Sequence, residues 1–157
     1  YLKIWKGKKM RVNGTEYNTG NIIYTTRGAD MFHFSENGIM SMIIEDFEVS
    51  NGKVCAIEHG SFMDKSIELG ISTTYKLRDN AVTALRLKRY SKDFFNKYDN
   101  LTGKDKYMYY NKFEEMEKVI HEYDNHEDTI NFDSVLDNCN FKEPKIIIRE
   151  EDMDLDR

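Results

Sequence analysis

Three Asn-Gly dipeptides constrain the fold of this chain more than any other feature of its sequence. They are Asn13-Gly14, Asn37-Gly38 and Asn51-Gly52, and each lies between segments rich in β-branched and aromatic residues. Asn-Gly is a strong signal for a two-residue hairpin, because both central residues of a type I′ turn need positive φ. The first half of the chain is therefore predicted to consist of antiparallel strands joined by tight turns.

The segments between these turns predict the positions of the strands. The predicted strands are 2–12, 21–26, 31–35, 39–50 and 53–59, followed by a hairpin of 71–77 with 81–90. Segment 39–50 has apolar residues on both faces, including the adjacent Ile43 and Ile44, which is typical of a central strand. We expect it to be the spine of the sheet. A helix is the alternative for 81–90, because Val82, Leu85 and Arg89 also fit a period of 3.6.

Helical periodicity begins after Ser91. Ser91 is predicted to cap a helix over 92–100, and Thr102 to open a second helix that ends near Tyr123. The second helix has an apolar stripe that we expect to pack on the sheet; its members are Tyr109, Phe113, Met116, Ile120 and Tyr123. Asp133 is predicted to cap one further turn over 134–138, and Pro144 to precede a final strand.

These elements predict an α+β fold: a twisted antiparallel β-meander or partial barrel of six to eight strands, with C-terminal helices packed on one face. A length of 157 residues with 39% hydrophobic content favours a single cored domain. Its predicted limits are 1–149, with a β-rich part over 1–90, a helical part over 91–139 and a strand over 145–149. Residues 150–157 form an acidic tail.

Apolar runs and cysteine usage bear on the environment of the protein. No run approaches 18 apolar residues, so no membrane-spanning helix and no membrane partner is expected. The two cysteines, Cys55 and Cys139, lack the paired spacing of a disulfide framework or a cysteine zinc site. A reducing, cytoplasmic location is therefore expected, in an infected host cell if the gene is viral.

Charge is distributed unevenly along the chain. Residues 1–113 hold 18 Lys and Arg against 13 Asp and Glu, a net charge of +5, whereas residues 114–157 hold 5 against 15, a net charge of −10. No nucleophile elbow, phosphate loop or other catalytic motif is present. The first hypothesis is therefore a non-enzymatic, cofactor-free regulator or inhibitor, of the kind that phages and mobile elements encode.

In that hypothesis the acidic C-terminal region binds a protein partner with a basic surface, including one that normally holds nucleic acid. The predicted binding residues are the carboxylates of the tail, Glu150, Glu151, Asp152, Asp154 and Asp156.

The alternative hypothesis is a single-stranded nucleic-acid-binding or RNA-binding domain of a viral or replication protein. Its candidate residues are Lys76, Arg78, Arg86, Lys88, Arg89, Tyr90 and Lys92. Aromatic residues are interleaved with these cations, namely Tyr75, Phe94, Phe95 and Tyr98 as well as Tyr90. Cations for phosphates and aromatic rings for bases are the two components of such a surface.

Two metal sites are weaker alternatives. His121 and His126 are five residues apart, whereas the zinc-protease motif places its two histidines four apart on one helix face. Glu143 and Lys145, with Asp133, resemble the carboxylate and lysine pattern of PD-(D/E)xK nucleases, but a proline separates the pair and the Pro-Asp dipeptide is missing. The further carboxylates considered for that metal-dependent nuclease are Asp137, Glu114, Glu115 and Glu117.

Overall fold

The computed structural model describes residues 7–27 and 38–145, in which eight strands are followed by three helices. The strands are β1 (Lys9–Val12), β2 (Thr15–Asn18), β3 (Ile22–Thr25), β4 (Met40–Ile43), β5 (Asp46–Ser50), β6 (Lys53–Glu58), β7 (Lys65–Glu68) and β8 (Thr74–Tyr75). The helices are α1 (Arg78–Lys97), α2 (Gly103–Asn125) and α3 (Phe132–Asn138). The fold is α+β with its helices C-terminal to the strands, which confirms the predicted class.

Two of the Asn-Gly hairpins are confirmed. Asn13 and Gly14 have φ of 49° and 82° and join β1 to β2, with Val12 opposite Thr15. Asn51 and Gly52 have φ of 52° and 77° and join β5 to β6 in the same way. Positive φ at both central residues is the geometry of the type I′ turn, which explains why Asn-Gly occurs here. Asn37 lies outside the described residues.

The strands form three antiparallel sheets, in the orders β1-β2, β4-β3-β8 and β5-β6-β7. Their shared core contains seven buried residues, Tyr17, Ile23, Met42, Ile44, Ala56, Ile67 and Leu69. A second core lies among the helices and includes Tyr75 of β8. Strand β8 therefore connects the two cores, because it pairs with β3 on one side and leads directly into α1 on the other.

The prediction of one long strand over 39–50 is wrong. The chain leaves the sheet of β3 after Ile43 and joins the sheet of β6 at Asp46, and Ile44 lies at this crossing. The backbone N–H of Ile44 donates to Asn21, whereas that of Glu45 donates to Ile57. Ile44 is buried and Ile43 is 48% exposed. The adjacent isoleucines thus mark a change of sheet and not a central strand.

The predicted hairpin of 71–77 with 81–90 is also wrong. The predicted helix over 92–100 is helical over 92–97, but it is the end of a longer helix, so Ser91 lies inside that helix and does not cap it. Residues 78–97 form one helix of 20 residues, so the helical alternative holds and the β-rich part of the chain ends before Arg78. The residues of α1 that are buried include Ala81, Ala84, Leu87 and Phe94. Their spacing of three, three and seven residues is that of one helix face.

Helix α2 was predicted closely. It begins after Thr102 and ends at Asn125, and Phe113, Met116 and Ile120 of the predicted stripe are buried. Tyr109 is half-buried, and Tyr123 is 39% exposed. The buried members share one core with α1 and α3, so the stripe packs mainly between helices.

The cap of α3 is Asn131, whose side chain accepts a hydrogen bond from the backbone N–H of Ser134 at 2.7 Å, and not Asp133. Three predictions lie wholly or mainly outside the described residues, namely the strand over 31–35, the strand over 145–149 and the acidic tail over 150–157. Across the described ranges, no helix has both the length and the apolar character that crossing a bilayer requires. Cys55 and Cys139 are free thiols.

Candidate nucleic-acid interface

The exposed side of α1 is strongly cationic. The helix carries six basic residues against two acidic ones, and all six basic residues are exposed; they are Arg78, Arg86, Lys88, Arg89, Lys92 and Lys97. Arg78, Arg89 and Lys92 are 11 and 14 residues apart, which places them on one stripe of the helix. We call these six residues the cationic face of α1.

The cationic face includes five of the seven residues that the sequence nominated for nucleic-acid binding. Lys88 donates from Nζ to Oγ1 of Thr26 at 3.2 Å, and the guanidinium of Arg86 lies 4.9 Å from the ring centroid of Phe132. Lys76 is separate, because it precedes α1 and pairs with Glu127 at 3.0 Å. Tyr90 is half-buried and belongs to the contact at the C-terminal end of α1 described below.

The aromatic residues interleaved with these cations mostly belong to the core. Tyr75, Phe94 and Tyr98 are all below 8% exposed. Phe94 makes ring contacts with Phe113, at 5.4 Å between centroids, and with four other aromatic rings. The Phe94 contacts hold α1 against α2 and the segment after α3, and none of the three buried rings offers its face to solvent.

A buried carboxylate secures the N-terminal end of α1. Asp124 of α2 is 1% exposed and accepts hydrogen bonds from the backbone N–H groups of Lys76 and Leu77, the latter at 2.8 Å. These two residues immediately precede the helix, and Leu77 itself has no side chain that caps it. Burial raises the pKa of Asp124, an effect that the hydrogen bonds partly offset. Asp124 of α2 therefore replaces the missing N-terminal cap of α1.

Asn80 extends this polar junction to the loop before α3. Its side chain is fully buried, donates to the carbonyl of Asp128 at 2.7 Å and accepts from the backbone N–H of Ile130 at 3.0 Å. It also approaches Oδ1 of Asp124 at 3.4 Å. The junction thus connects the starts of α1 and α3 to the end of α2.

A second carboxylate secures the C-terminal end of α1. The hydroxyls of Tyr90 and Tyr98 donate to the two oxygens of Glu143 at 2.6 and 2.7 Å, and Nζ of Lys97 lies 3.4 Å from one of them. The two tyrosine hydrogen bonds hold the pKa of Glu143 below its usual value of 4.5. Burial and the bond to Glu143 raise the pKa of Tyr90. The cationic face is therefore carried by a helix anchored at both ends.

Replacing Glu143 with glutamine is expected to lower stability in a way that depends on pH. Because the pKa of Glu143 is depressed in the folded protein, its stabilising effect is present above the unfolded value of 4.5 and is lost as the pH falls through the folded value. At pH 7 the loss should be about 1 kcal/mol, since the carboxylate is partly exposed. Urea unfolding of both proteins between pH 7 and pH 3 measures it.

The exposed Glu48 of β5 supplies the control, because Glu48→Gln should leave the unfolding curve almost unchanged at every pH. A stability difference between the wild-type protein and Glu143→Gln that stays constant from pH 7 to pH 3 would show that the charge of Glu143 is not what matters.

One feature of the interface was not nominated from the sequence. An open groove of about 230 Å³ lies between α1 and α2 beside the cationic face. Tyr110 lies on its rim, 47% exposed, with its ring stacked on Phe95 at 4.2 Å between centroids and 22° between planes. The sequence between Tyr107 and Tyr110 indicates an exposed tyrosine on α2. Because Tyr109 fits the apolar stripe of that helix, Tyr107 and Tyr110 must point in other directions.

The residues of the two metal hypotheses lie apart in the structure or are engaged in other contacts. His121 is half-buried with its ring edge on Tyr75, and burial lowers its pKa, whereas His126 is exposed at the C-terminal end of α2. Asp133 is exposed in the first turn of α3, and Glu143 is engaged by the two tyrosines. In residues 7–27 and 38–145 there is no group of three or more His, Cys, Asp or Glu side chains that could hold a metal ion.

Comparison with protein-family models, with curated proteins and with solved structures gives no match. A helix held at both ends that carries six exposed cations can attract and orient a polyanion, and a stacked aromatic pair next to it can contact a flat ring.

Proposed function

We propose that this protein is a non-enzymatic nucleic-acid-binding module. In this proposal the cationic face of α1 contacts phosphates. The observation that carries the proposal is the presence of six exposed cations on one helix that is fixed at both ends. Lys and Arg side chains bind phosphates mainly by electrostatics and by release of counterions. A fixed helix presents its charges without a large loss of backbone freedom on binding, which favours affinity.

A charge reversal on the cationic face tests this function. Lys92→Glu should weaken binding to a fluorescein-labelled oligonucleotide at every salt concentration, and it should reduce the slope of log K against log salt by about 1. Lys92 is exposed, so the substitution should remove a phosphate contact without disturbing the core. Fluorescence anisotropy between about 50 and 200 mM salt provides both quantities.

Lys118 on α2 is the matched control, since it is exposed but does not belong to the cationic face. Lys118→Glu should leave the affinity and the salt slope close to those of the wild-type protein. Equal losses for Lys92→Glu and Lys118→Glu would indicate unspecific attraction, and a wild-type protein that binds no oligonucleotide at about 50 mM salt would overturn the proposal.

The acidic regulator is the second candidate, and one observation favours it. Many carboxylates of α2, α3 and the loop between them are exposed, namely Glu114, Glu115, Glu122, Glu127, Asp128, Asp133 and Asp137. A partner with a basic surface would be attracted to this region, together with the acidic residues 150–156 that follow it in the sequence. Absence of nucleic-acid binding in the experiment above would make this the leading candidate.

A further inference from the structure

The groove between α1 and α2 has the dimensions and lining of a site for one flat ring. Its floor is apolar and is formed by Ala84, Leu87 and Phe113, all of which are buried. Its volume of about 230 Å³ is smaller than the roughly 300–1,000 Å³ of sites for drug-sized ligands. The groove therefore suits a single planar group better than a larger molecule.

Tyr110 lines the groove with an aromatic ring that is already oriented, and a base stacked on the face turned away from Phe95 takes the place of the Lys106 ammonium. Its ring is parallel to that of Phe95 at 4.2 Å, and Nζ of Lys106 lies 6.0 Å from its centroid. At 47% exposure a large part of the Tyr110 side chain still meets solvent. A ring held by a stacked neighbour loses little freedom when another ring stacks on it, and base–aromatic stacking is insensitive to base identity.

The two rims of the groove differ in charge. Lys88 and Ser91 line the α1 side, and Lys92 follows one residue after Ser91, whereas Glu114 and Glu117 line the α2 side. A phosphate is attracted to the α1 rim and repelled from the α2 rim, so a bound strand should run along α1. Carboxylates accept hydrogen bonds from amino and imino N–H groups, which the edges of bases present. This polarity matches a nucleotide with its phosphate at one rim and its base edge at the other.

We infer that the groove binds one unpaired base of a single-stranded nucleic acid, stacked on Tyr110, with its N–H groups toward Glu114 and Glu117 and the adjacent phosphates along Lys88 and Lys92. The inference rests on the proposed function and narrows it to single strands. A base in a duplex reaches such a groove only after unpairing and unstacking, which cost free energy. Duplexes of the same sequence should consequently bind more weakly than single strands.

The experiment combines a change in the ligand with a change in the protein. Anisotropy titrations compare a labelled oligonucleotide of about eight cytidines with one of the same length that has a sugar-phosphate backbone and no bases in its central half. The wild-type protein should bind the abasic strand about fivefold to 150-fold more weakly, as stacking energies of roughly 1–3 kcal/mol imply. For Tyr110→Ala the intact strand should bind as weakly as the abasic strand does, so the difference between the two ligands should nearly vanish.

Two further variants separate stacking from folding. Tyr110→Phe keeps the ring and should retain the wild-type preference for the intact strand. Tyr107→Ala removes an even more exposed tyrosine of α2 that does not line the groove, and it should behave like the wild-type protein. Because the abasic strand tests the base contact without any substitution, the result does not depend on how well Tyr110→Ala folds.

The outcomes distinguish this inference from the function on which it rests. If the wild-type protein binds both strands equally and binding falls steeply with salt, the base site is wrong and the phosphate-binding function stands. If neither strand binds at about 50 mM salt, both are wrong. A loss of the preference in Tyr107→Ala but not in Tyr110→Ala would place the base contact elsewhere on α2.

Discussion

Replacing Asp124 with alanine is expected to lower the free energy of unfolding by about 3 kcal/mol, because two partly buried backbone N–H groups lose their acceptor. Asp124 is 1% exposed and accepts from Lys76 and Leu77 immediately before α1. The alanine variant leaves those partly buried donors without their acceptor, and it also removes a contact of Asn80. Urea unfolding followed by circular dichroism measures the change.

Glu122→Ala is the matched control for this substitution, because Glu122 is an exposed carboxylate on the same helix. It should change the free energy of unfolding by less than about 0.5 kcal/mol. A similar small effect of Asp124→Ala would mean that water replaces the carboxylate and that the N-terminal end of α1 does not need this contact.

Replacing Ile120 with alanine is expected to have an effect of similar or larger size, about 3–4 kcal/mol. Ile120 is fully buried in the core that α2 shares with α1 and α3, and truncation removes buried apolar atoms and leaves a cavity. Equilibrium unfolding in urea, with the slope against denaturant concentration checked for constancy, gives the value.

Tyr123 belongs to the same predicted stripe but is 39% exposed, so Tyr123→Ala should cost clearly less than Ile120→Ala. The comparison tests which part of the stripe is core. If the two substitutions cost the same, the stripe contributes equally to stability at its buried and its exposed positions.

The sequence predicted local structure well at two tight turns and in one helix. The Asn-Gly turns of β1-β2 and β5-β6 need only two residues with positive φ, and α2 needs only its own apolar period. Helix α1 was mistaken for a hairpin because Leu85 to Lys88 alternates apolar and basic residues over four positions. The helical period becomes dominant only over the full length of 20 residues, when Ala81, Ala84 and Phe94 are included.

The prediction failed where the structure depends on distant partners. The chain passes from one sheet to another at Ile44, because Asn21 accepts the backbone hydrogen bond of Ile44 and Ile57 accepts that of Glu45. No pattern within 39–50 specifies those partners. The sequence also showed the cations of α1 but not how the helix is held. Asn80 and Asp124 are 44 residues apart, and Tyr90 and Glu143 are 53 apart.

Distributing eight strands over three small sheets leaves many outer strands in the described part of the chain. The unpaired N–H and C=O groups of an outer strand can join a strand of another molecule and start aggregation. None of the outer strands described here exceeds five residues, and several bear exposed charges, such as Glu48 on β5 and Lys65 on β7. Short length and charge both oppose such joining, so aggregation through these outer strands is disfavoured even though the described sheets are small and separate.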